Sequence, residues 1–121
     1  IKRMDIISIN CPLTSETRGL MSKQRLHLMT PDSYIINTSR SEIIDENALL
    51  ELLKRSKIAG AGLDVFRNKE NRNIELLKVP NTILIPHLGS ATVEGRIEMG
   101  EKVIVNIKTF IDGHNPPNRI I

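Results

Sequence analysis

Thr82-Ile83-Leu84-Ile85-Pro86-His87-Leu88-Gly89-Ser90-Ala91-Thr92 carries a short apolar run through a single histidine into a long helical pattern. The first four residues favour a buried strand, and Pro86 stops it because proline has no N–H to give to a ladder. Gly89 and Ser90 read as a turn, and from Thr92 onward the apolar residues take helical spacing. His87 therefore sits at the mouth of a buried strand, where an imidazole can exchange a proton with a ligand. Two earlier strands end in the same manner, and that repetition decides how the chain is read.

Working outward, three further short apolar runs are visible. Residues 5–10 form an Ile-rich strand closed by Cys11-Pro12, and residues 34–37 form a second that runs into Thr38-Ser39-Arg40. Residues 58–66, with Gly60, Ala61 and Gly62, give a third that includes Asp64. Between them lie helical segments. Ser22 is placed to cap a short helix reaching Leu28, and Asp45 to cap one with Ala48, Leu49, Leu52 and Leu53 on a single face. Met21 and Met29 are expected to fill core gaps. Residues 67–73 read as a charged irregular loop, and residues 74–78 as at most one turn of helix.

The last helix is expected from about Thr92 to Asp112, with Gly113 as its stop and the following Asn115-Pro116-Pro117-Asn118 extended. Val93, Ile97, Gly100, Ile104, Ile107 and Ile111 share one stripe, which reads as core or as an inter-domain contact. Charges interrupt the stripe, so a membrane-spanning role is not expected.

Short apolar strands alternating with helices imply an α/β fold with parallel pairing, and predict a sheet covered on both faces. In such sheets ligands sit beyond the carboxyl ends of the strands. Arg40, Asp64 and His87 each lie at or just past one such end, so all three should gather at one edge. An arginine, a carboxylate and a histidine together form a chemically competent set.

Composition narrows the function classes. At 121 residues the chain is one domain at most. It is long enough to bury roughly two thirds of its unfolded surface. Net charge is +3 with the basic residues scattered, and aromatics are 2% with no Trp, so neither a phosphate-binding stripe nor a base-stacking platform is evident. No nucleic-acid or membrane partner is expected. Cys11 is the lone cysteine, which excludes an intramolecular disulfide or a cysteine zinc cluster and fits a reducing cytoplasm. No metal site is expected. The start, Ile1-Lys2-Arg3-Met4-Asp5, reads like the middle of something.

The runs Ile36-Asn37-Thr38-Ser39-Arg40, Gly60-Ala61-Gly62-Leu63-Asp64-Val65-Phe66 and Pro86-His87-Leu88-Gly89-Ser90-Ala91-Thr92, in that order, resemble the D-isomer-specific 2-hydroxyacid dehydrogenases. Cys11-Pro12-Leu13-Thr14 with Glu16-Thr17 is similar to the loop before the adenosine side of the cofactor in that family. Glyoxylate/hydroxypyruvate reductases and phosphoglycerate dehydrogenases are members it resembles. The resemblance implies the C-terminal half of a Rossmann-like doubly wound parallel sheet plus a long C-terminal helix. Residues 1–91 would be the C-terminal part of an NAD-binding domain, and residues 92–121 a helix and tail returning toward a substrate domain.

It also implies roles. Arg40 would hold the substrate carboxylate and polarise its carbonyl, and His87 would be the general acid in ketoacid reduction. Asp64 would hydrogen-bond the nicotinamide carboxamide. Pro12 and Thr17 would lie along the dinucleotide, with backbone near Thr38 beside the nicotinamide. The cofactor would be NAD or NADP, the substrate a small 2-hydroxyacid or 2-ketoacid, and the assembly a homodimer.

There are departures. The position of the family's catalytic Glu is Lys69, which offers the imidazole no acceptor, while Glu70 stands next to it where the family usually has Pro. A one-residue shift in this loop would restore a carboxylate, making Glu70 the third catalytic candidate. Ser41 replaces the usual Gly, and Asn10 the usual His before Cys11-Pro12. No G-x-G-x-x-G turn opens a helix, and Gly60-Ala61-Gly62 lies within a strand instead. The chain is thus expected to be the C-terminal part of a larger enzyme, inactive by itself. The alternative is a non-catalytic relative that senses dinucleotide or mediates assembly as a corepressor does, and Lys69 is the feature that favours it.

Overall fold

A computed structural model describes residues 1–66 and 74–120, except for the side chain of Ile74. The chain divides into two compact units, Ile1–His87 and Leu88–Ile121.

The first unit holds four parallel strands, β1 (Ile6–Ile9), β2 (Tyr34–Asn37), β3 (Gly60–Leu63) and β4 (Thr82–Leu84), in the spatial order β1-β2-β3-β4. The helices are α1 (Lys23–Leu26), α2 (Glu46–Lys54) and α3 (Ile74–Leu77), with a 3-10 turn at Ser41–Ile43 for which the sequence gives no signal. Ser22 caps α1 by accepting from Arg25 N, and Asp45 caps α2 by accepting from Ala48 N at 3.1 Å, as the sequence predicts. Strand β3 is shorter than the expected 58–66. Its ladder with β4 ends at the Leu63–Leu84 pair, and residue 64 bends away.

Parallel sheets need covered faces, and here one face is covered. Leu26 of α1, the stripe Ala48, Leu49, Leu52 and Leu53 of α2, and Leu76 of α3 share one core with Ile9, Ile35, Ala61 and Leu63. Met21 and Met29 belong to it, as expected. The other face exposes Ile6, Tyr34, Ile36 and Ile83, the last at 69%. The expectation of two covered faces fails for a topological reason. Each connection moves one strand further in the same direction, and crossovers of one hand then all fall on one side. Only a reversal of direction would put helices on the other face.

The second unit is helix α4 (Val93–Ile111) with its flanking turn and tail. Thr92 caps it, accepting from Gly95 N at 3.0 Å, and Gly113 at φ 80° ends it. Glu98 and Lys102 form an i,i+4 pair at 2.7 Å. The tail is not extended as predicted, because it turns at residues 117–118. There Asn118 N donates to Asn106 Oδ1 and Asn106 Nδ2 donates to Asn118 Oδ1, each at 3.1 Å. No residue of α4 is buried, so the stripe is not core. Its own unit offers only a turn and a short tail to pack against.

Candidate active site

Register settles where the strand ends lie. Ile9 pairs with Asn37, Asn37 with Leu63, and Leu63 with Leu84, so all four carboxyl ends stop on one line. Beyond that line come Pro12, Thr38 to Arg40, Asp64, and His87, each leaving a different strand. The backbone carries the alignment past the ladder: Asp64 N donates to Asn37 O at 2.9 Å, Ile85 N to Leu63 O at 2.9 Å, and His87 N to Asp64 O at 3.0 Å. Arg40, Asp64 and His87 thus leave three adjacent strands at one edge.

Arg40 is exposed, and its Nη1 donates to Ser39 O at 2.8 Å. The loop beneath it is tightly specified. Asn37, 1% exposed, accepts from Ser39 N at 3.0 Å through Oδ1 and donates to Arg40 O at 2.9 Å through Nδ2. Ile43 N, at 3.3 Å, is a second donor to Arg40 O. Ser39 Oγ donates to Cys11 O, and Thr38 Oγ1 donates to Asn10 Oδ1 at 3.0 Å, so the loop is tied to the end of β1 as well. Buried Ile43 and Ile44 hold its far side.

Asp64 is buried, with 6% exposed, directly after β3. His87 is exposed and adopts φ 55°, the left-handed region uncommon for residues with a side chain. Its N–H is shared between Asp64 O and Ile85 O, both at 3.0 Å, which fixes this backbone turn. Conformations of this kind persist where surrounding bonds over-determine them, often at functional sites. The structure therefore holds the histidine where its neighbours dictate.

Thr17 shapes the loop after β1. Its hydroxyl donates to Pro12 O at 2.7 Å and accepts from Thr14 N at 2.7 Å, which commits its one proton within the loop. Pro12 and Thr38 are exposed at the ends of β1 and β2. Lys69 and Glu70 lie outside the described residues.

Sequence reasoning did not single out Asn37 and Ser39 as separate contributors. A buried asparagine at a strand end is the signal that could have found the first. Two surface hollows open at the opposite, amino edge of the sheet. One is lined by His27, Pro31, Arg55 and Lys57, the other by Lys54, Lys78, Pro80 and Asn81. Neither contains a predicted site residue.

Chemically, the carboxyl edge offers a planar cation suited to a carboxylate, a group able to give or take a proton, and an acceptor suited to an amide. No helix among the described residues is long and apolar enough to cross a membrane.

A family model described as D-isomer specific 2-hydroxyacid dehydrogenase, NAD binding domain, matches residues 1–89. The glyoxylate reductase of Thermococcus litoralis is 47% identical over 120 residues, covering 99% of this chain and 36% of that protein. A Thermus thermophilus crystal structure superposes with a TM-score of 0.92 at 36% identity, over 99% of this chain and 39% of that one. The NADPH-dependent glyoxylate/hydroxypyruvate reductase of Sinorhizobium meliloti, in complex with NADP and malonate, superposes with a TM-score of 0.84 at 36% identity, over 91% of this chain and 34% of that one. The chain spans about a third of the length of these relatives. With the parallel sheet, the aligned strand ends and the family match over most of its length, the chain belongs to the D-isomer-specific 2-hydroxyacid dehydrogenases, as NAD-binding domain.

Proposed function

We propose that this chain works within a longer polypeptide that interconverts a small D-2-hydroxyacid and its 2-ketoacid with NAD or NADP. One observation carries the reading: Arg40, Asp64 and His87 leave three adjacent parallel strands at the same edge. Names of the relatives point to glyoxylate and hydroxypyruvate as the substrates to test first.

In this reading Arg40 grips the ketoacid carboxylate. Its planar guanidinium can meet a carboxylate through two parallel hydrogen bonds. His87 gives a proton to the carbonyl oxygen during reduction and takes it back in the reverse direction. Asp64 would hold the nicotinamide carboxamide as a hydrogen-bond acceptor. Pro12, Thr17 and backbone at Thr38 border the dinucleotide. The residues fit such a group, since the edge presents the exposed residues Pro12 and Thr38 and a carboxylate at Asp64. When bound, the nicotinamide supplies the hydride. Glu70 is proposed as the carboxylate that supports His87. A homodimer in the cytoplasm completes the proposal, and the lone Cys11 suits that compartment.

The test is ketoacid reduction by the longer polypeptide, followed through NADH or NADPH absorbance with glyoxylate and hydroxypyruvate. Turnover is expected, and His87→Gln should lower kcat by about 10²–10⁴-fold. Unchanged kcat in that variant removes His87 from the chemistry. Glu70→Gln should cost much of kcat, and no change would exclude Glu70. The 121-residue chain alone is expected to turn over nothing, and measurable turnover by it would sink the longer-polypeptide reading.

A further inference from the structure

We propose that Asn37 is the positioning residue for Arg40, through a buried carboxamide that fixes the two-residue link, Thr38 and Ser39, between β2 and the arginine. The inference rests on the reading of Arg40 as the carboxylate-binding group.

Asn37 occupies the last rung of β2, paired with Ile9 on one side and Leu63 on the other, and is 1% exposed. Its apolar neighbours would favour an aliphatic side chain here, since a buried amide costs free energy unless its hydrogen bonds are made. Both of its polar atoms are used on one short segment: Oδ1 receives Ser39 N at 3.0 Å and Nδ2 reaches Arg40 O at 2.9 Å. The two bonds fix the backbone on either side of the Arg40 α-carbon, from which the guanidinium projects.

Asparagine is specified by geometry. The loop needs an acceptor two residues on and a donor three residues on, both from one carbon at this reach. A carboxamide supplies one of each. Ionised aspartate has acceptors alone, serine is too short to do both, and glutamine adds a methylene. The side chain is also neutral, so it holds the loop without competing for the Arg40 charge. Ser39 Oγ, donating to Cys11 O, anchors the same loop to β1. An arginine that clamps a carboxylate needs this precision, because displacement by about 1 Å costs about 10²-fold in rate.

Asn37→Asp in the longer polypeptide is the test. The variant is isosteric and keeps the acceptor for Ser39 N, but it sets an oxygen lone pair against Arg40 O. The expected result is a fall in kcat/KM for glyoxylate or hydroxypyruvate of about 10–100-fold. Most of it should lie in the ketoacid KM, with NADPH and NADH affinity, read by nucleotide fluorescence, unchanged within about twofold. A purely structural defect would instead lower the active fraction and leave the ketoacid KM of the surviving enzyme as it was.

If Asn37→Asp does not fold, Asn37→Ser, too short to reach both Ser39 N and Arg40 O, is read in the same way. A ketoacid KM within twofold of the parent in the folded variant overturns the proposal. Arg40→Gln separates the two failures. Should it raise the ketoacid KM while the Asn37 variants do not, the positioning role alone falls. Should it leave that KM unchanged, the carboxylate role of Arg40 falls and takes the inference with it.

Discussion

Gly60→Ala tests how closely β3 and β4 approach at the start of their ladder. Neither Gly60 nor Gly62 needs a positive φ, so backbone conformation is not at issue at either position. A methyl at Gly60 would sit 2.8 Å from Asn81 O and 3.3 Å from two ring carbons of Tyr34. The ring can swing toward solvent, but Asn81 O cannot retreat freely because it accepts Ala61 N at 3.0 Å. Overpacking of this kind costs about 1–3 kcal/mol. Against it stands the lower chain entropy of alanine in the unfolded state, worth about 0.4–1 kcal/mol. The clash wins, and a net loss of about 1–2 kcal/mol is expected. At Gly62 the same methyl would meet only Ile36 Cγ1 at 3.9 Å, an ordinary contact, so there the entropy gain should survive. Urea unfolding of the two variants, with m near 1–3 kcal/mol/M, should place their midpoints about 1 M apart on opposite sides of the parent. A Gly60→Ala midpoint at or above the parent's would refute the close-approach argument, as would equal shifts in both variants.

Two further outcomes are expected. Helix α2 ends with Ser56 at φ 49°, its N–H donating to Leu53 O and that of Lys57 to Leu52 O, whereas α4 uses Gly113 for the same cap. Ser56→Gly should therefore stabilise the chain by about 0.5–1 kcal/mol, and a lower Tm in a thermal melt would contradict this. The Glu75 carboxyl is held below the usual carboxylate range, chiefly by the 2.6 Å hydrogen bond from Lys54 and next by that from Lys78 at 3.1 Å. A lowered folded value adds stability above the ordinary carboxylate range, and this is lost as pH falls through the lowered value. Glu75→Gln should thus differ slightly from the parent at neutral pH and not in strong acid, and the difference should shrink in high salt because the pair is exposed. A gap in urea midpoint that stays constant with pH would show that the ion pair is not its source.

Strand positions, the Ser22 cap and the Asp45 cap could be read directly from the chain because each rests on local chemistry. The gathering of Arg40, Asp64 and His87 was also legible, since parallel pairing sends every strand end to one edge. Which faces of the sheet are covered was not. Tyr34-Ile35-Ile36-Asn37 alternates exposed and buried, yet its apolar run hides that alternation, and direction of winding is a property of the whole topology. The stripe on α4 was legible as a pattern, while its burial depends on neighbours that a local pattern does not name. At the site, part of the network around Arg40 was not legible because the Thr38–Asn10 and Ser39–Cys11 bonds join the segments after β2 and β1, which are distant along the chain. Asn37 looked like a polar strand terminus, and only its burial and two hydrogen bonds reveal what it does.

The unbroken strand order also bears on how the chain reaches its folded state. Neighbouring strands close loops from Ile6 to Tyr34, from Tyr34 to Gly60 and from Ala61 to Thr82. All three spans are roughly 20–30 residues, so their closure entropies differ by only about 0.3 kcal/mol and no pairing has a marked head start. A ribosome releases the strands in the same order in which they stand side by side. Each new strand then docks on an edge already formed, without waiting for a partner still to be made. The Arg40 loop is laid down with the second strand, Asp64 with the third, and His87 arrives last. Of the three residues, His87 thus takes its place only once all four described strands are paired.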